Sequence, residues 1–354
     1  MEIKKTLAIL AGGTGGHIYP ALSVAKRWRA QGGTVVWLGT VQGLEAKIVP
    51  EADIPFYIIQ IAGVRGRSLI RRLLSPFHMV HALWQSLLIL RRLKPDVVLG
   101  MGGYVSGPAA LAAKCLGIPL VIHEQNAIAG KTNAYLTLFA NKILQAFEGS
   151  IKKPGVVTVG NPVRTDIAAL SCHQAIHSPG SLNILVLGGS RGAKTINTVL
   201  PSLFSAMPQL RLCIKHQAGV QHFEEAVANY AHTLLHAEVL PYIEDMAAAY
   251  AWADLVIARA GAMTVFEVMA AGVPAIFIPY PYAVDDHQAA NARYLVGKGA
   301  AYLCREHELS LEYLGGLLEG LYKDPQRYGA MSKSAYDLRI VHADQDIVDT
   351  CATL

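Results

Sequence analysis

Three glycine-rich loops carry the residues whose types and spacing best suit chemistry. They read GGTGGH at 12–17, GGYVSGP at 102–108 and GGSRGAKT at 188–195, and each follows a short apolar run. Glycines let the backbone approach a ligand, and a helix that starts beside such a loop offers N–H groups and partial positive charge. The pattern indicates an anion site, phosphate above all. A tight turn without a ligand remains the alternative for any one loop taken alone.

Two common nucleotide motifs do not fit these loops. A dinucleotide site needs G-x-G-x-x-G and an acidic residue at the end of the second strand, but the spacing differs here and that strand ends with Gly39-Thr40. The loop at 188–195 resembles a Walker A motif, yet Ala193 replaces its last glycine, and no aspartate closes an apolar strand as a magnesium ligand. The sequence disfavours NAD binding and NTPase activity and predicts no cofactor.

The loops lie between apolar runs and amphipathic segments that predict alternating strands and helices. Predicted strands cover 7–11, 34–38, 56–60, 96–100 and 120–123, and the pattern restarts at 183–187, 211–215, 254–258 and 275–279. The first loop leads into a helix over 21–31 with Pro20 in its first turn, where a missing N–H costs nothing. Uninterrupted apolar strands predict an α/β fold with parallel sheets, and such sheets bind ligands at the carboxyl ends of their strands.

The length and the repeated pattern predict two domains. A chain of 354 residues exceeds what one hydrophobic core usually organises, and GNPVR at 160–164 is a turn-forming stretch between the halves. We therefore expect domains over 1–163 and 164–338. The segment 339–354 is helical in pattern and can pack back on the first domain, although the sequence does not exclude the second.

Composition excludes several classes of protein. With 52% hydrophobic and 16% charged residues the chain is globular, and at a net charge of +5 it has no basic run typical of nucleic-acid binding. The 5 cysteines form no C-x-x-C pair, which favours a reducing cytoplasm over a disulfide framework or structural zinc. The longest uncharged stretch, 73–90, is interrupted by polar residues and Pro76, so we do not expect a transmembrane helix.

Seven motifs in one order resemble the GT-B glycosyltransferases, and within them those that add N-acetylglucosamine (GlcNAc) to undecaprenyl-pyrophosphoryl-N-acetylmuramyl-pentapeptide. The motifs span nearly the whole chain: GGTGGH at 12–17, GGYVSGP at 102–108, HEQN at 123–126, GNPVR at 160–164, GGSRGA at 188–193, RAGAMTVFE at 259–267 and DDHQAANA at 285–292. The resemblance implies two Rossmann-like doubly wound parallel-sheet domains facing across a cleft. It also implies inverting transfer of GlcNAc from UDP-GlcNAc in peptidoglycan synthesis, at the cytoplasmic face of the bacterial inner membrane.

The resemblance assigns the donor to the second domain. It implies that uracil is read by the backbone at Ile243, that Glu267 accepts from the ribose hydroxyls, and that Gln288 bonds the sugar. A solvated helix glutamate is the alternative for Glu267, and a hinge salt bridge is the alternative for Arg164. The remaining donor contacts that it implies are Arg164, Ser190, Ala262, Met263, Thr264, Val265 and Phe266.

The first domain is expected to hold the acceptor. By resemblance Thr14, Gly15 and Gly16 approach the acceptor pyrophosphate or the donor sugar, and Asn126 contacts sugar. His17 is a candidate general base, because imidazole titrates near physiological pH, or it only positions the loop. Glu124 is the other candidate base, or a structural carboxylate that accepts backbone N–H groups.

No metal is predicted. Asp344-Gln345-Asp346 spells the D-x-D of metal-using transferases, but it lies in the C-terminal helical segment, and we interpret it as a solvated helix face. No His/Asp cluster has metal-ligand spacing. The partial charge of the helix that starts near Ala262 is expected to stabilise the leaving diphosphate.

The segment 68–94 combines basic and bulky apolar residues. Arg71, Arg72, Arg91, Arg92 and Lys94 flank leucines and aromatic residues, as suits an anionic membrane surface. The alternative is a buried helix of the first domain, because Phe77, Val80, Trp84 and Leu87 recur at core-helix spacing. Both hold if one face is buried and the 69–77 end is exposed.

The expected partners are UDP-GlcNAc, an undecaprenyl-linked acceptor and an anionic membrane surface, without nucleic acid. Other cell-wall synthesis proteins are further candidates. Two rival functions share the expected architecture: a UDP-GlcNAc epimerase-like isomerase, which needs no acceptor, and an inactive sugar-nucleotide-binding partner of a membrane complex. The basic-apolar segment and the loops at 102–108 and 123–126 favour the transferase, because the rivals need no second substrate.

Overall fold

Two parallel β-sheets organise the chain. A computed structural model describes residues 3–61, 75–172, 180–189 and 192–354. The chain folds into two compact units, one formed by Met1–Pro162 with His342–Leu354 and the other by Val163–Val341. Each unit contains one sheet, and every strand pair in both sheets is parallel.

The first sheet consists of β1 (Thr6–Leu10), β2 (Thr34–Gly39), β3 (Phe56–Ile58), β4 (Val97–Gly100), β5 (Leu120–Glu124), β6 (Lys142–Gln145) and β7 (Val156–Thr158). Its 7 strands run in the order β3-β2-β1-β4-β5-β6-β7. Leu7 aligns with Val35 on one side and with Val97 on the other, which places β1 inside the sheet. Its helices are α1 (Gly15–Ala30), α2 (Glu45–Glu51), α3 (Ser75–Leu93), α4 (Ser106–Cys115) and α5 (Lys131–Leu136).

The second sheet repeats this plan with β8 (Leu182–Leu187), β9 (Leu212–Gln217), β10 (His236–Leu240), β11 (Leu255–Ala258), β12 (Ala275–Phe277) and β13 (Ala301–Leu303). The order is β10-β9-β8-β11-β12-β13, so β8 takes the place that β1 has in the first sheet. The helices are α6 (Thr165–Ala168), α7 (Lys194–Ser205), α8 (Phe223–Ala231), α9 (Met246–Trp252), α10 (Ala262–Ala271), α11 (His287–Val296), α12 (Leu311–Lys323) and α13 (Pro325–Asp337).

An aspartate bonds the backbone near the start of an inner strand of each sheet, β1 and β8. The Thr6 N–H donates to Asp96 Oδ2 at 2.7 Å, while the Asp96 N–H donates to the Thr6 carbonyl at 2.9 Å. Asn183 and Asp254 make the same reciprocal pair, at 2.8 Å in both directions. The two halves therefore share a local device as well as a strand order.

Alternating apolar residues cover both faces of the first sheet. Leu7 and Ile9 pack in a cluster with α1, whereas Ala8 and Leu10 pack on the opposite face with α4. In the second unit, every second residue of β8 (Leu182, Ile184 and Val186) packs against α7 and α12. Continuous apolar strands are stable only when both faces are buried in this way, as the sequence predicts.

The C-terminal helix, α14 (Ala343–Ala352), belongs to the first unit. Ile347, Val348 and Cys351 are fully buried in the cluster that contains α1. Arg27 Nε donates to Asp344 Oδ2 at 2.9 Å, while the Gln31 and Gln345 side chains bond at 2.8 Å. Interpreting 344–346 as a solvated face was therefore wrong for two of its three residues, because they pair with α1.

The exposed face of α3 is apolar, which contradicts the core-helix interpretation for Phe77, Val80 and Trp84, whereas Leu87 packs partly buried against the core. Phe77 is 74% exposed, Val80 66% and Trp84 57%, whereas Ala82 and Leu90 form the buried side. Apolar residues that recur every 3.6 positions identify an apolar face of a helix, but α3 has two such faces, one buried and one exposed. The predicted apolar residues at 69, 70, 73 and 74 lie outside the described residues.

The first helix begins at Gly15, earlier than the predicted amphipathic pattern. Pro20 consequently lies in the second turn and not in the first, because both glycines and His17 adopt helical geometry. Four strands escaped prediction (β6, β7, β10 and β13), because they are short or interrupted by polar residues. None of the helices in the described part of the chain combines the length and apolar character needed to cross a membrane.

Replacing Ile347 by alanine should destabilise the chain by about 2–5 kcal/mol, because it leaves a cavity between α14 and α1. The measurement is urea unfolding followed by circular dichroism. Thr350→Ala on the same helix is the control, since the Thr350 side chain bonds only the preceding turn, at 2.8 Å to the Asp346 carbonyl. Equal stability of the two variants would contradict the docking of α14.

Candidate functional site

The first glycine loop ends in the N-terminus of α1. Thr14 is the N-cap, and the first bonds within the helix run from the N–H groups of His17 and Ile18 to the Thr14 carbonyl. The N–H groups of Gly15 and Gly16 precede these bonds, so the helix does not use them. The predicted acceptor residues Thr14, Gly15 and Gly16 thus form a start that can receive an anion.

Glu45 holds this loop from behind. Its side chain is fully buried and accepts from the Gly13 N–H at 3.0 Å, the Thr40 N–H at 3.1 Å and the Thr40 hydroxyl at 2.7 Å. Three donors compensate a buried carboxylate for lost hydration. The Gly13 N–H is therefore directed at protein, which leaves the anion to the amides of the helix start.

The loop after β4 passes very close to the first loop. A Cβ on Gly103 would lie 2.4 Å from the Gly12 carbonyl oxygen, and one on Gly102 would lie 2.9 Å from His17 Nδ1. Both glycines have positive φ, 95° at Gly102 and 85° at Gly103. The GGYVSGP motif therefore contributes close packing against the GGTGGH loop and room for the His17 ring.

The end of β5 carries four polar residues in sequence, His123 to Asn126. Glu124 is 1% exposed and accepts from the N–H groups of Asn126 and Gly130, both at 3.0 Å, and from Asn133 Nδ2 at 2.9 Å. The Asn126 amide also points at this carboxylate, at 3.3 Å. Glu124 thus organises the loop that presents Asn126.

His17 lies on the first turn of α1, half-buried. Its Nδ1 is 2.9 Å from Gln125 Oε1, so the structure brings together GGTGGH, GGYVSGP and HEQN. In His17 this bond uses one ring nitrogen, Nδ1, and leaves Nε2 out. In Glu124, the other candidate base, both carboxylate oxygens accept hydrogen bonds from the protein.

In the second unit, α10 starts directly after the loop that follows β11. Gly261 is its N-cap, and the first bond within the helix is Val265 N–H to the Gly261 carbonyl at 3.0 Å. The N–H groups of Ala262, Met263 and Thr264 precede that bond. Within this described helix the first turn has no acidic residue and no side-chain cap. These features are typical of a phosphate-binding helix start.

Glu267 lies one turn further along α10, on the same face as Thr264. Tyr250 donates its hydroxyl to Glu267 Oε2 at 3.1 Å, and Arg164 Nη2 is 3.6 Å from Oε1. Its side chain is 14% exposed, so the solvated-glutamate alternative does not hold. Burial raises the pKa of Glu267, and Arg164 and the Tyr250 hydrogen bond oppose that rise.

The backbone at Ile243 is partly occupied. Its N–H donates to Gln217 Oε1 at 3.1 Å, which leaves the carbonyl for a ligand. Gln288 accepts from the Tyr280 N–H at 2.9 Å through Oε1, so its Nε2 is the group that can meet a sugar. Both residues lie after strands of the second sheet.

The loop before α11 is strained. Asp285 and Asp286 have φ of 54° and 52°, in the left-handed region that aspartate rarely adopts. Arg305 holds Asp286 with two bonds, at 2.9 Å and 2.7 Å, and lowers the pKa of that carboxyl. Strain held by a bidentate ion pair is typical of functional loops, and Gln288 lies two residues after Asp286.

Two predicted donor contacts have buried side chains. The Val265 and Phe266 side chains are buried in the core of the second unit, as the apolar face of α10 requires. Ser190 lies outside the described residues. Among residues 3–61, 75–172, 180–189 and 192–354, no three His, Cys, Asp or Glu side chains cluster as a metal site.

Sequence reasoning missed several residues that position the site. Glu45, Gln125, Tyr250 and Gln217 each bond a predicted site residue or its loop. The only signal in the sequence was weak: polar residues at the carboxyl end of an apolar strand, as with Gln125 and Gln217. Nothing local marks Glu45 or Tyr250, because the bonds that tie them to the site, to Gly13 and Glu267, span 32 and 17 positions of the sequence.

The two sheets and their glycine loops define a pair of Rossmann-like units of the GT-B class. Family models match both: the glycosyltransferase family 28 N-terminal domain over residues 7–145 and the glycosyltransferase family 28 C-terminal domain over 183–350. The chain belongs to glycosyltransferase family 28.

Full-length relatives carry one name, UDP-N-acetylglucosamine–N-acetylmuramyl-(pentapeptide) pyrophosphoryl-undecaprenol N-acetylglucosamine transferase. The protein from Cupriavidus metallidurans is 46% identical over 99% of this chain and 98% of its own length. The protein from Psychromonas ingrahamii is 43% identical over 100% of both. The crystal structure of Acinetobacter baumannii MurG superposes with a TM-score of 0.85 at 41% identity, over 99% of this chain and 100% of that one.

A more distant likeness shows the fold alone. A putative UDP-N-acetylglucosamine 2-epimerase from Listeria monocytogenes superposes with a TM-score of 0.66 at 14% identity, over 98% of this chain and 95% of that one. Transferases and epimerases thus share the architecture, and the fold does not distinguish them.

Gly103→Ala should destabilise the chain by about 2 kcal/mol or more, because the new methyl group meets a backbone carbonyl that cannot rotate away. Gly117→Ala is the matched control, since Gly117 has φ of 71° and nothing within 4 Å of its Cβ position. It shares the backbone strain without the contact and should cost about 1 kcal/mol. Thermal unfolding of both variants measures the difference, and equal losses would contradict the close approach of the loops.

Proposed function

We propose that this chain transfers GlcNAc from UDP-GlcNAc, with inversion, to the 4-hydroxyl of a lipid-linked N-acetylmuramyl-pentapeptide in peptidoglycan synthesis. The observation that carries the proposal is 43–46% identity, over at least 98% of each protein, to transferases named for these substrates. The epimerase-like alternative is supported by the fold alone, at 14–16% identity.

The geometry of α10 supports a donor site there. The amides of Ala262, Met263 and Thr264 would hold the diphosphate, and Glu267, one turn or about 5.4 Å further on, would accept from the ribose hydroxyls. As the glycosidic bond to UDP breaks, negative charge grows on the diphosphate. The partial positive charge of the helix start stabilises that charge in the transition state more than in the ground state.

The remaining donor contacts follow from the groups left available. The Ile243 carbonyl would accept the uracil N3–H, because its N–H is bonded to Gln217. Gln288 Nε2 would donate to a sugar hydroxyl. Arg164 would hold Glu267 as a carboxylate and neutralise part of the donor charge, and Ser190 remains a proposed contact by family resemblance.

His17 is the better general base in this proposal. The Glu124 oxygens accept from at least three protein donors, so taking a proton would break the loop that they organise. His17 lies at the start of α1 beside Gly15 and Gly16, which would meet acceptor phosphate, while Asn126 would contact sugar. The imidazole takes the proton of the acceptor hydroxyl as its oxygen attacks the anomeric carbon opposite to UDP, and a β-1,4 bond forms.

Helix α3 would bring the enzyme to its lipid substrate. The exposed residues Phe77, Val80, Trp84 and Leu88 form one stripe that ends near Arg91 and Arg92. Apolar residues beside cations suit insertion into an anionic bilayer surface. A polyprenyl chain cannot leave the membrane cheaply, since each buried CH₂ contributes about 0.8 kcal/mol, so we place the protein peripherally at the cytoplasmic face.

Glu267→Gln should weaken UDP binding about 10- to 100-fold, because a neutral amide replaces a charged acceptor. Protonation of Glu267 should weaken UDP binding as the pH falls. Because the pKa of Glu267 is raised, this loss of affinity should begin at a higher pH than it would for a glutamate with the ordinary pKa. Arg164→Gln should move this decline further upward, since Arg164 lowers the pKa. Calorimetric titrations between about pH 4 and 8, a range that begins near the usual glutamate value, test this. An equal pH dependence in Glu267→Gln would contradict it.

Replacing Phe77, Val80 and Trp84 together by serine should weaken binding to phosphatidylglycerol vesicles by about tenfold or more, because each apolar side chain contributes to insertion. UDP affinity should not change. Val220→Ser with Leu234→Ser is the control, since both are exposed apolar residues of the second unit. Unchanged vesicle sedimentation of the α3 variant would remove this helix from the proposal.

The direct test of the function uses labelled UDP-GlcNAc, the purified chain and a lipid-linked muramyl-pentapeptide. We expect label in the lipid phase only when acceptor is present. Turnover of UDP-GlcNAc to an isomer without acceptor would establish the epimerase-like alternative. Binding without any turnover would establish the inactive partner.

A further inference from the structure

A chain of hydrogen bonds links His17 to a buried carbonyl of the first unit. Gln125 Oε1 lies 2.9 Å from His17 Nδ1, Gln125 Nε2 lies 3.0 Å from His123 Nδ1, and His123 Nε2 lies 2.8 Å from the Gly160 carbonyl oxygen. Gln125 and His123 are fully buried, so water does not compete for these groups. The hydrogen bonds join three sequence motifs, GGTGGH, HEQN and GNPVR.

The Gly160 carbonyl fixes the proton on His123. A carbonyl oxygen can only accept, so His123 Nε2 must donate to it. Burial lowers the pKa of His123 to about 4, and the ring therefore carries a single proton at neutral pH. Its Nδ1 is then an acceptor, which matches the Gln125 amide nitrogen. Gly160 has φ of 78°, a backbone conformation that favours glycine at this point.

A second carbonyl fixes the orientation of the Gln125 amide. Its Nε2 also lies 3.2 Å from the His123 carbonyl oxygen. The reverse orientation would place two acceptor oxygens in contact and set Oε1 against the His123 lone pair. The amide oxygen therefore faces His17, and His17 Nδ1 must donate to it.

We propose that Gln125 and His123 are positioning residues that hold His17 in the Nδ1–H tautomer and so place its proton-accepting lone pair on Nε2. The catalytic part rests on the proposed function, in which His17 takes the acceptor proton. An amide in the place of a carboxylate fixes the tautomer without a permanent ion pair. Nε2 is then the ring nitrogen that can accept the proton of the acceptor hydroxyl.

The tautomer can be measured without any substrate. Ring-¹⁵N-histidine labelling of the full chain, with long-range ¹H–¹⁵N correlations, distinguishes the two tautomers, and a His17→Gln variant assigns the His17 signals. We expect Nδ1–H for His17 and Nε2–H for His123 in the native chain. An Nε2–H tautomer at His17 would overturn the proposal whether or not the chain is a transferase.

Kinetics test the consequence for catalysis. Gln125→Leu removes the acceptor of the His17 proton and should lower kcat by about 10- to 100-fold, with KM for UDP-GlcNAc unchanged. The matched control is Gln145→Leu, which removes another buried glutamine of this sheet, bonded to Thr158 Oγ1 and to the Ile151 N–H. Equal kcat losses in the two variants, or a native His17 tautomer in Gln125→Leu, would refute the positioning role. A native chain without transferase activity would instead refute the proposed function and leave the tautomer result standing.

Discussion

In each unit the first strand lies inside the sheet: β1 lies between β2 and β4, and β8 lies between β9 and β11. The chain therefore continues to one side of the first strand and later returns to add strands on its other side. This order opens a crevice at the carboxyl ends of β1 and β4, and another at those of β8 and β11. The loops that follow these four strands are GGTGGH, GGYVSGP, GGSRGA and the segment before α10. Strand order, not proximity in sequence, therefore places the ends of β1 and β4, and those of β8 and β11, next to each other within each unit.

Buried carboxylates hold two loops of the first unit in shape. Glu45 bonds the first loop and Glu124 bonds the loop after β5, each with three or more donors from the protein. A carboxylate buried without such donors would be strongly unfavourable, so the loops and their acids stabilise one another. The need to satisfy a buried carboxylate with hydrogen bonds also explains why Glu124, although it lies in the HEQN motif, need not act as the general base. His17 and the helix-start amides are left to take the reactive roles.

Local sequence features predicted the class of fold and most of the loops. Apolar runs, glycine clusters and their spacing are properties of neighbouring residues, so the parallel α/β architecture and the start of α10 could be expected. The order of strands could not, because it depends on contacts between distant segments. Short strands such as Lys142–Gln145 were missed, since polar residues interrupt their apolar character.

The errors have specific physical causes. Two glycines at 15 and 16 suggested a loop, yet they form the first turn of α1, which moves Pro20 into the second turn. The periodicity of α3 was correct, but periodicity cannot tell which apolar face meets the core. Glu45 and Tyr250 became visible only when the fold placed them against Gly13 and Glu267.

A crystal structure of the chain with UDP would decide whether the second unit binds the donor. We expect the diphosphate at the amides of Ala262, Met263 and Thr264 and the ribose hydroxyls within hydrogen-bond distance of Glu267. A nucleotide bound elsewhere, for example at the start of α1, would contradict the assignment of the second unit to the donor.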